Sequence, residues 1–138
     1  MKTVFRSKFG WEIAIPIGVI FLGVSGLLLA SQASWVGLAV LLLTFIWILH
    51  LFLNTHYTVE NGMLTITCGF LYRKKIDLQA LSSIRETNSI LSSPATSLDR
   101  LELTWGSNQK VMVSPKDKSS FIAALQSVNS KIIYIKKN

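Results

Sequence analysis

Cysteine is nearly absent. Cys68 is the single one among 138 residues, which excludes a disulfide within the chain. It falls in a run that reads as a β-strand of a domain in a reducing compartment, so it is expected to be a buried, inert thiol. Histidine is scarce as well, with only His50 and His56, and the seven acidic residues form no evident carboxylate pair. Neither an HExxH nor a CxxC spacing occurs, nor does a glycine-rich phosphate loop. Catalysis needs convergent groups of that kind, so the chain reads as non-enzymatic, with no metal and no cofactor expected. Acidic residues are half as many as basic ones, 7 against 14, for a formal charge of +7. That excess does not indicate nucleic acid as a partner. Lys2, Arg6 and Lys8 crowd the first ten residues, which leaves the remainder only modestly basic, and Tyr57, Phe70 and Tyr72 form no clear stacking platform. No internal repeat or long low-complexity tract is present.

Charge is missing altogether from residues 13–30, a run of 18, and again from residues 35–53, a run of 19. At about 1.5 Å rise per residue such runs make helices of roughly 27 to 29 Å, close to the ~30 Å hydrocarbon thickness of a bilayer. Two transmembrane spans are therefore expected, over about 11–30 and 35–53, joined by the uncharged turn Ser31-Gln32-Ala33-Ser34. Basic residues flanking a span are retained on the cytoplasmic side, so both termini are expected inside the cytoplasmic (inner) membrane of a bacterial cell, with the turn outside. Residues 31–33 resemble a signal-peptidase site. The apolar core, however, exceeds the ~7 to 15 residues of a signal peptide and a second span follows at once, so retention is expected. Trp11 and Trp35 open the spans and Trp47 lies near the exit of the second, at headgroup positions. Pro16 either sits in the first turn of its helix or bends a longer one. Small residues recur four apart at Ala14 and Gly18, Gly26 and Ala30, and Ala33 and Gly37, which predicts close packing of the two helices on each other, with a homodimer face as the alternative. His50 is the one titratable side chain within a span. With no charged partner there, it reads as an interfacial histidine rather than a proton relay.

After Leu53 the period changes. Residues 55–60 and 63–68 alternate around Asn61-Gly62, the strongest short hairpin signal, and residues 73–78 supply a third strand after the turn 70–72. Residues 84–87 read as a fourth strand and 89–97, serine-rich with Pro94, as a loop. Residues 98–105 place Leu101, Leu103 and Trp105 on one face, and 109–113 return after a turn at 106–108. A helix over about 115–129 is predicted from Ser114 as N-cap, Pro115 at the first helical position and Asp117 at the third, with an apolar stripe of Phe121, Ile122, Leu125 and Val128. Residues 131–137 read as a short edge strand or a docked tail. The fold class is thus a membrane-anchored α+β protein. A two-helix hairpin over residues 1–54 is followed by an antiparallel sheet domain over residues 55–138.

The segments Tyr57-Thr58-Val59, Gly62-Met63-Leu64, Gly69, Ile76-Asp77-Leu78 with Leu81 and Ile84, residues 93–101, and Val113-Ser114-Pro115-Lys116 before a helix bearing Phe121 together resemble the YyaB-like bacterial PH domain from about residue 55 to 129. The most specific piece is S-P-A-x-S-L-D-R, supplied here by Ser93, Pro94, Ala95, Ser97, Leu98, Asp99 and Arg100. The resemblance implies a PH-like half-barrel plugged by a C-terminal helix, often behind two spans, and implies no established activity.

Arg73, Lys74 and Lys75 form the densest charge run and are candidate contacts for anionic lipid headgroups, worth about 1 kcal/mol each near a surface. On a strand Lys74 faces opposite to Arg73 and Lys75. Eukaryotic PH domains hold inositol phosphates around the loop between their first two strands. Here that loop reads as the uncharged Asn61-Gly62, which argues against that route. Ser93, Pro94, Ala95, Ser97, Asp99, Arg100, Ser114 and Pro115 are expected to be structural, Asp99 accepting from backbone amides of 93–97 and Arg100 pairing with Glu102. The leading functional expectation is a non-catalytic module contacting a protein, a peptide or another copy of itself. A lipid-surface sensor stands second. A transporter or channel component is disfavoured because Ser25, Thr44 and His50 are too few to line a pore.

Overall fold

A computed structural model describes residues 2–32, 34–88 and 99–137. In chain order the elements are β1 (Thr3–Arg6), α1 (Trp11–Ala30), α2 (Trp35–Leu53), β2 (Thr55–Glu60), β3 (Met63–Cys68), β4 (Tyr72–Asp77), β5 (Leu81–Thr87), β6 (Arg100–Trp105), β7 (Gln109–Val113), α3 (Lys118–Val128) and β8 (Ile133–Ile135). The two long helices end within a residue of where the loss of charge placed them, and neither buries any residue within the chain. An apolar surface of this extent, half-buried only along the stripe where the two helices meet, is stable only against lipid or protein. Both helices are long and apolar enough to cross a membrane.

The strands form two four-stranded sheets, β1-β2-β3-β4 and β7-β6-β5-β8. Asn61 and Gly62 both take positive φ, 51° and 74°, as a two-residue hairpin with the right-handed twist of its strands requires. Alternation then sends Tyr57, Val59, Leu64, Ile66 and Ile76 inward from the first sheet and Ile84, Leu101, Leu103, Val111 and Val113 from the second. Phe121, Ile122 and Leu125 of α3 close this core. Asn129 ends α3 and is itself buried, donating from Nδ2 to the Leu78 carbonyl at 2.8 Å. Of the two readings of the tail, the edge strand is the one adopted: β8 pairs in parallel with β5.

Several expectations are corrected. Residues 3–6, read from sequence as a charged flank of the first span, are a strand of the domain. Thr3 pairs with Val59 and Arg6 with His56, and Phe5 meets Phe121 edge-on at 5.3 Å. A domain boundary at residue 54 therefore severs β1 from its sheet, because the hairpin of helices is inserted between the first and second strands. The connection between the first two strands is consequently residues 7–54, not Asn61-Gly62. Helix α3 starts later than predicted. Asp117, not Ser114, is its N-cap, accepting from Ser120 N–H at 3.1 Å, while Pro115 forms a β-bridge with Ser7. Gly18, Gly23 and Gly26 have nothing within 4 Å of where a Cβ would lie, so these glycines do not form the contact between α1 and α2; Gly37 just reaches Leu28.

Candidate functional site

The end of the first sheet next to the helices is where charged, aromatic and backbone groups converge. The chain leaves β1 for α1 through residues 7–10 and returns from α2 to β2 through Asn54 alone, so the sheet is fixed to both helices without slack. Ser7 N–H donates to the Thr55 carbonyl at 3.1 Å, Lys8 N–H to the Ser114 carbonyl at 2.7 Å, and Lys116 N–H to the Arg6 carbonyl at 2.9 Å. Tyr57, wholly buried, completes the junction: its hydroxyl accepts from Ser114 N–H at 3.0 Å and lies 3.2 Å from Ser7 Oγ. Burial pushes the Tyr57 phenol above its ordinary pKa, so it stays neutral. Beside it Lys8 and Lys118 both pair with Asp99, Lys8 at 3.2 Å. Partial burial pushes the Asp99 carboxyl up, but the two ammonium groups outweigh it and hold the acid below its ordinary range.

Cross-strand register assembles a basic row on the outer face of this sheet. Arg6 is opposite His56, His56 opposite Thr67, and Thr67 opposite Arg73, so all four side chains share one face at the helix-proximal end. Two residues further out the row is Val4, Thr58, Thr65 and Lys75. Two further still it contains Glu60 and Asp77, about 13 Å from the first row at ~3.3 Å per residue. The sheet face carries no acid near the helices, and its two acids, Glu60 and Asp77, lie at the far end. Lys74 lies on the opposite side of the strand, its Nζ 4.6 Å from the centre of the Trp105 ring. The three-residue basic run is therefore split: Arg73 and Lys75 line the outer face and Lys74 packs. Around the β1 edge Arg6, Lys8 and Lys116 border a groove of about 640 Å³ whose other wall is Trp11, Phe52 and Leu53.

Of the other residues singled out from sequence, Ser93, Pro94, Ala95 and Ser97 lie outside the described residues. Arg100 is 5% exposed, and burial pushes its pKa down from the ordinary value. Glu102, expected to pair with Arg100, pairs with Lys110 at 3.3 Å. Ser114 and Pro115 both contact Ser7 of the segment that follows β1. Sequence alone does not single out Arg6, Lys8, His56 and Lys116 as members of the site. Their only signal is charge, charge ahead of a span reads as membrane topology, and it is the register across β1, β2, β3 and β4 that joins Arg6 and His56 to Arg73. Among the described residues no group of three or more His, Cys, Asp or Glu side chains could hold a metal ion.

Two four-stranded sheets, antiparallel except where β8 joins β5, closed by a C-terminal helix and interrupted by a hairpin of two long apolar helices, define a PH-like domain carried on a helical hairpin. A family model described as Bacterial PH domain matches residues 55–129, more than half of the chain. The chain belongs to that family. No curated protein and no solved structure matches it. The matched region begins at β2, so the strand that completes the sheet lies outside it.

Proposed function

We propose that this chain is a non-catalytic, multi-pass protein of the bacterial inner membrane whose PH-like domain stands on the cytoplasmic face and senses the anionic lipid surface through its basic rim. The observation that carries this reading is the segregation of charge along one sheet face, with Arg6, His56 and Arg73 at the end fixed to the helices and Glu60 and Asp77 about 13 Å away. An anionic surface at the helix end attracts the near row and repels the far one, which sets the domain upright. Each basic residue near such a surface contributes about 1 kcal/mol. Two spans already hold the chain in the bilayer, so the rim governs orientation and response to lipid charge rather than recruitment. Narrower placement among YyaB-like proteins rests on residues 93–101.

Contact with a protein, a peptide or a second copy is the competing reading. It is favoured by β8, an edge strand whose Ile133, Tyr134 and Ile135 are all exposed. Hydrogen exchange on the full chain in nanodiscs separates the two. Lipid sensing predicts slower exchange in β1 and β4 when phosphatidylglycerol replaces phosphatidylcholine, and loss of that difference in Arg6→Gln/Arg73→Gln/Lys75→Gln. Equal exchange in both lipids removes it. Disulfide-linked dimers of Ile133→Cys in a Cys68→Ser background would favour self-association instead.

A further inference from the structure

We propose that the turn joining β3 to β4, with Phe70 and Leu71 at its tip, is inserted into the bilayer beside α2 as a third attachment point of the domain. Phe70 is 74% exposed and Leu71 58%, in a domain whose other large apolar side chains are mostly enclosed. Two adjacent apolar side chains at a tight turn have no function in water, and the bilayer is the surface within their reach. The turn does not project away from the helices. Gly69 N–H donates to the Asn54 carbonyl at 3.2 Å, and the Phe70 ring lies 6.3 Å from the ring of His50 in the last turn of α2. Gly69 takes φ +56°, and a Cβ there would meet Leu51 Cδ2 at 2.7 Å, so only glycine lets the turn run back along the helix this closely.

His50 lies four residues before Asn54, which at 1.5 Å per residue is about 6 Å below the point where the helix gives way to the sheet. Phe70 reaches that depth, within the ~5 to 10 Å to which interfacial apolar groups enter the headgroup and acyl boundary. The groups of α2 beside the turn are His50, whose ring faces Phe70, and Leu51, which packs on Gly69. Arg73, three residues on, then stands at phosphate level. Along the end of the sheet the attachments run in strand order: β1 into α1, β2 from α2, and the β3–β4 turn on the far flank of α2. Three points in a row fix the tilt of the sheet, which two short linkers alone do not. This inference rests on α1 and α2 crossing the bilayer, and requires no preference for anionic lipid.

The test uses the full chain in phosphatidylcholine vesicles, with Cys68→Ser and a single cysteine carrying an environment-sensitive fluorophore. Phe70→Cys is compared with Leu42→Cys, in the middle of α2, and with Ser107→Cys, in the β6–β7 turn at the opposite end of the domain. Insertion predicts that lipids spin-labelled near the headgroup quench position 70 strongly and position 107 not at all, and that iodide in the water quenches position 70 at least fivefold less than 107. Equal iodide quenching at 70 and 107, with 42 shielded, overturns insertion while leaving the spans in place. Iodide access at 42 as well overturns both. Leu71→Cys repeats the measurement at a neighbouring position, so perturbation by one label does not decide the result.

Discussion

Replacing Tyr57 by Phe removes one buried oxygen from the point where the first strand, the second strand and the segment before α3 meet. The hydroxyl accepts from Ser114 N–H at 3.0 Å and lies 3.2 Å from Ser7 Oγ, with Tyr57 and Ser114 both fully buried. Losing a buried donor's acceptor costs about 1 to 3 kcal/mol, and the weaker contact to Ser7 adds about 0.5. The ring stays, so no cavity opens and its contact with Phe121 at 5.8 Å is kept. A total of about 2 kcal/mol follows, which at 1.4 kcal/mol per factor of ten is roughly a 30-fold loss. Because Ser7 belongs to the segment leading from β1 into α1, the loss is expected to appear locally. Amide exchange of the full chain in vesicles should speed up about 30-fold across residues 3–7 and 113–116, with the β2–β3 hairpin less affected. A change below threefold at Ser114, or one spread evenly over the domain, would refute the claim that this hydroxyl fastens the first strand across the inserted hairpin.

Lys74→Gln should lower domain stability by about 0.5 to 1 kcal/mol through loss of its contact with Trp105. Arg73→Gln and Lys75→Gln should leave stability within about 0.5 kcal/mol while weakening apposition to anionic vesicles by about 1 kcal/mol each; chemical denaturation and lipid-dependent exchange distinguish the two effects. Gly62→Ala meets open space but a φ of +74°, and should cost about 1 kcal/mol. Gly69→Ala adds overlap with Leu51 and should cost more in a thermal melt. The β8 tail should respond to pH at both extremes. Tyr134 donates to Glu86 at 2.7 Å, which holds the carboxyl below its ordinary range and pushes the phenol up to about 12. The folded state therefore favours ionised Glu86 and neutral Tyr134. Docking is full between the ordinary values of the two groups. It weakens as pH falls through the lowered Glu86 value and as it rises from 10 through about 12, measurable as trypsin cleavage at Lys131 and Lys136 after brief pH exposure.

Local pattern was enough for much of this protein. Uncharged runs of 18 and 19 residues mark α1 and α2 because length and polarity are properties of a single segment. Asn61-Gly62 marks its hairpin because both residues tolerate positive φ. Alternation along a single strand likewise separates Arg73 and Lys75 from Lys74.

What tertiary structure alone decided are the pairings across the inserted helices. Four residues, Thr3–Arg6, are too few to carry a period, and their ladder partners lie fifty or more positions away. Nothing in the short segment announces that its charges belong to a sheet rather than to a membrane flank. The start of α3 moved for a related reason. Ser114 has the chemistry of a cap, but its N–H and hydroxyl are taken by Tyr57 and Ser7, so the helix opens at Asp117 instead. The basic rim follows the same rule. Its members are distant in sequence, and register, a property of two segments at once, brings Arg6, His56 and Arg73 onto one face beside the helices.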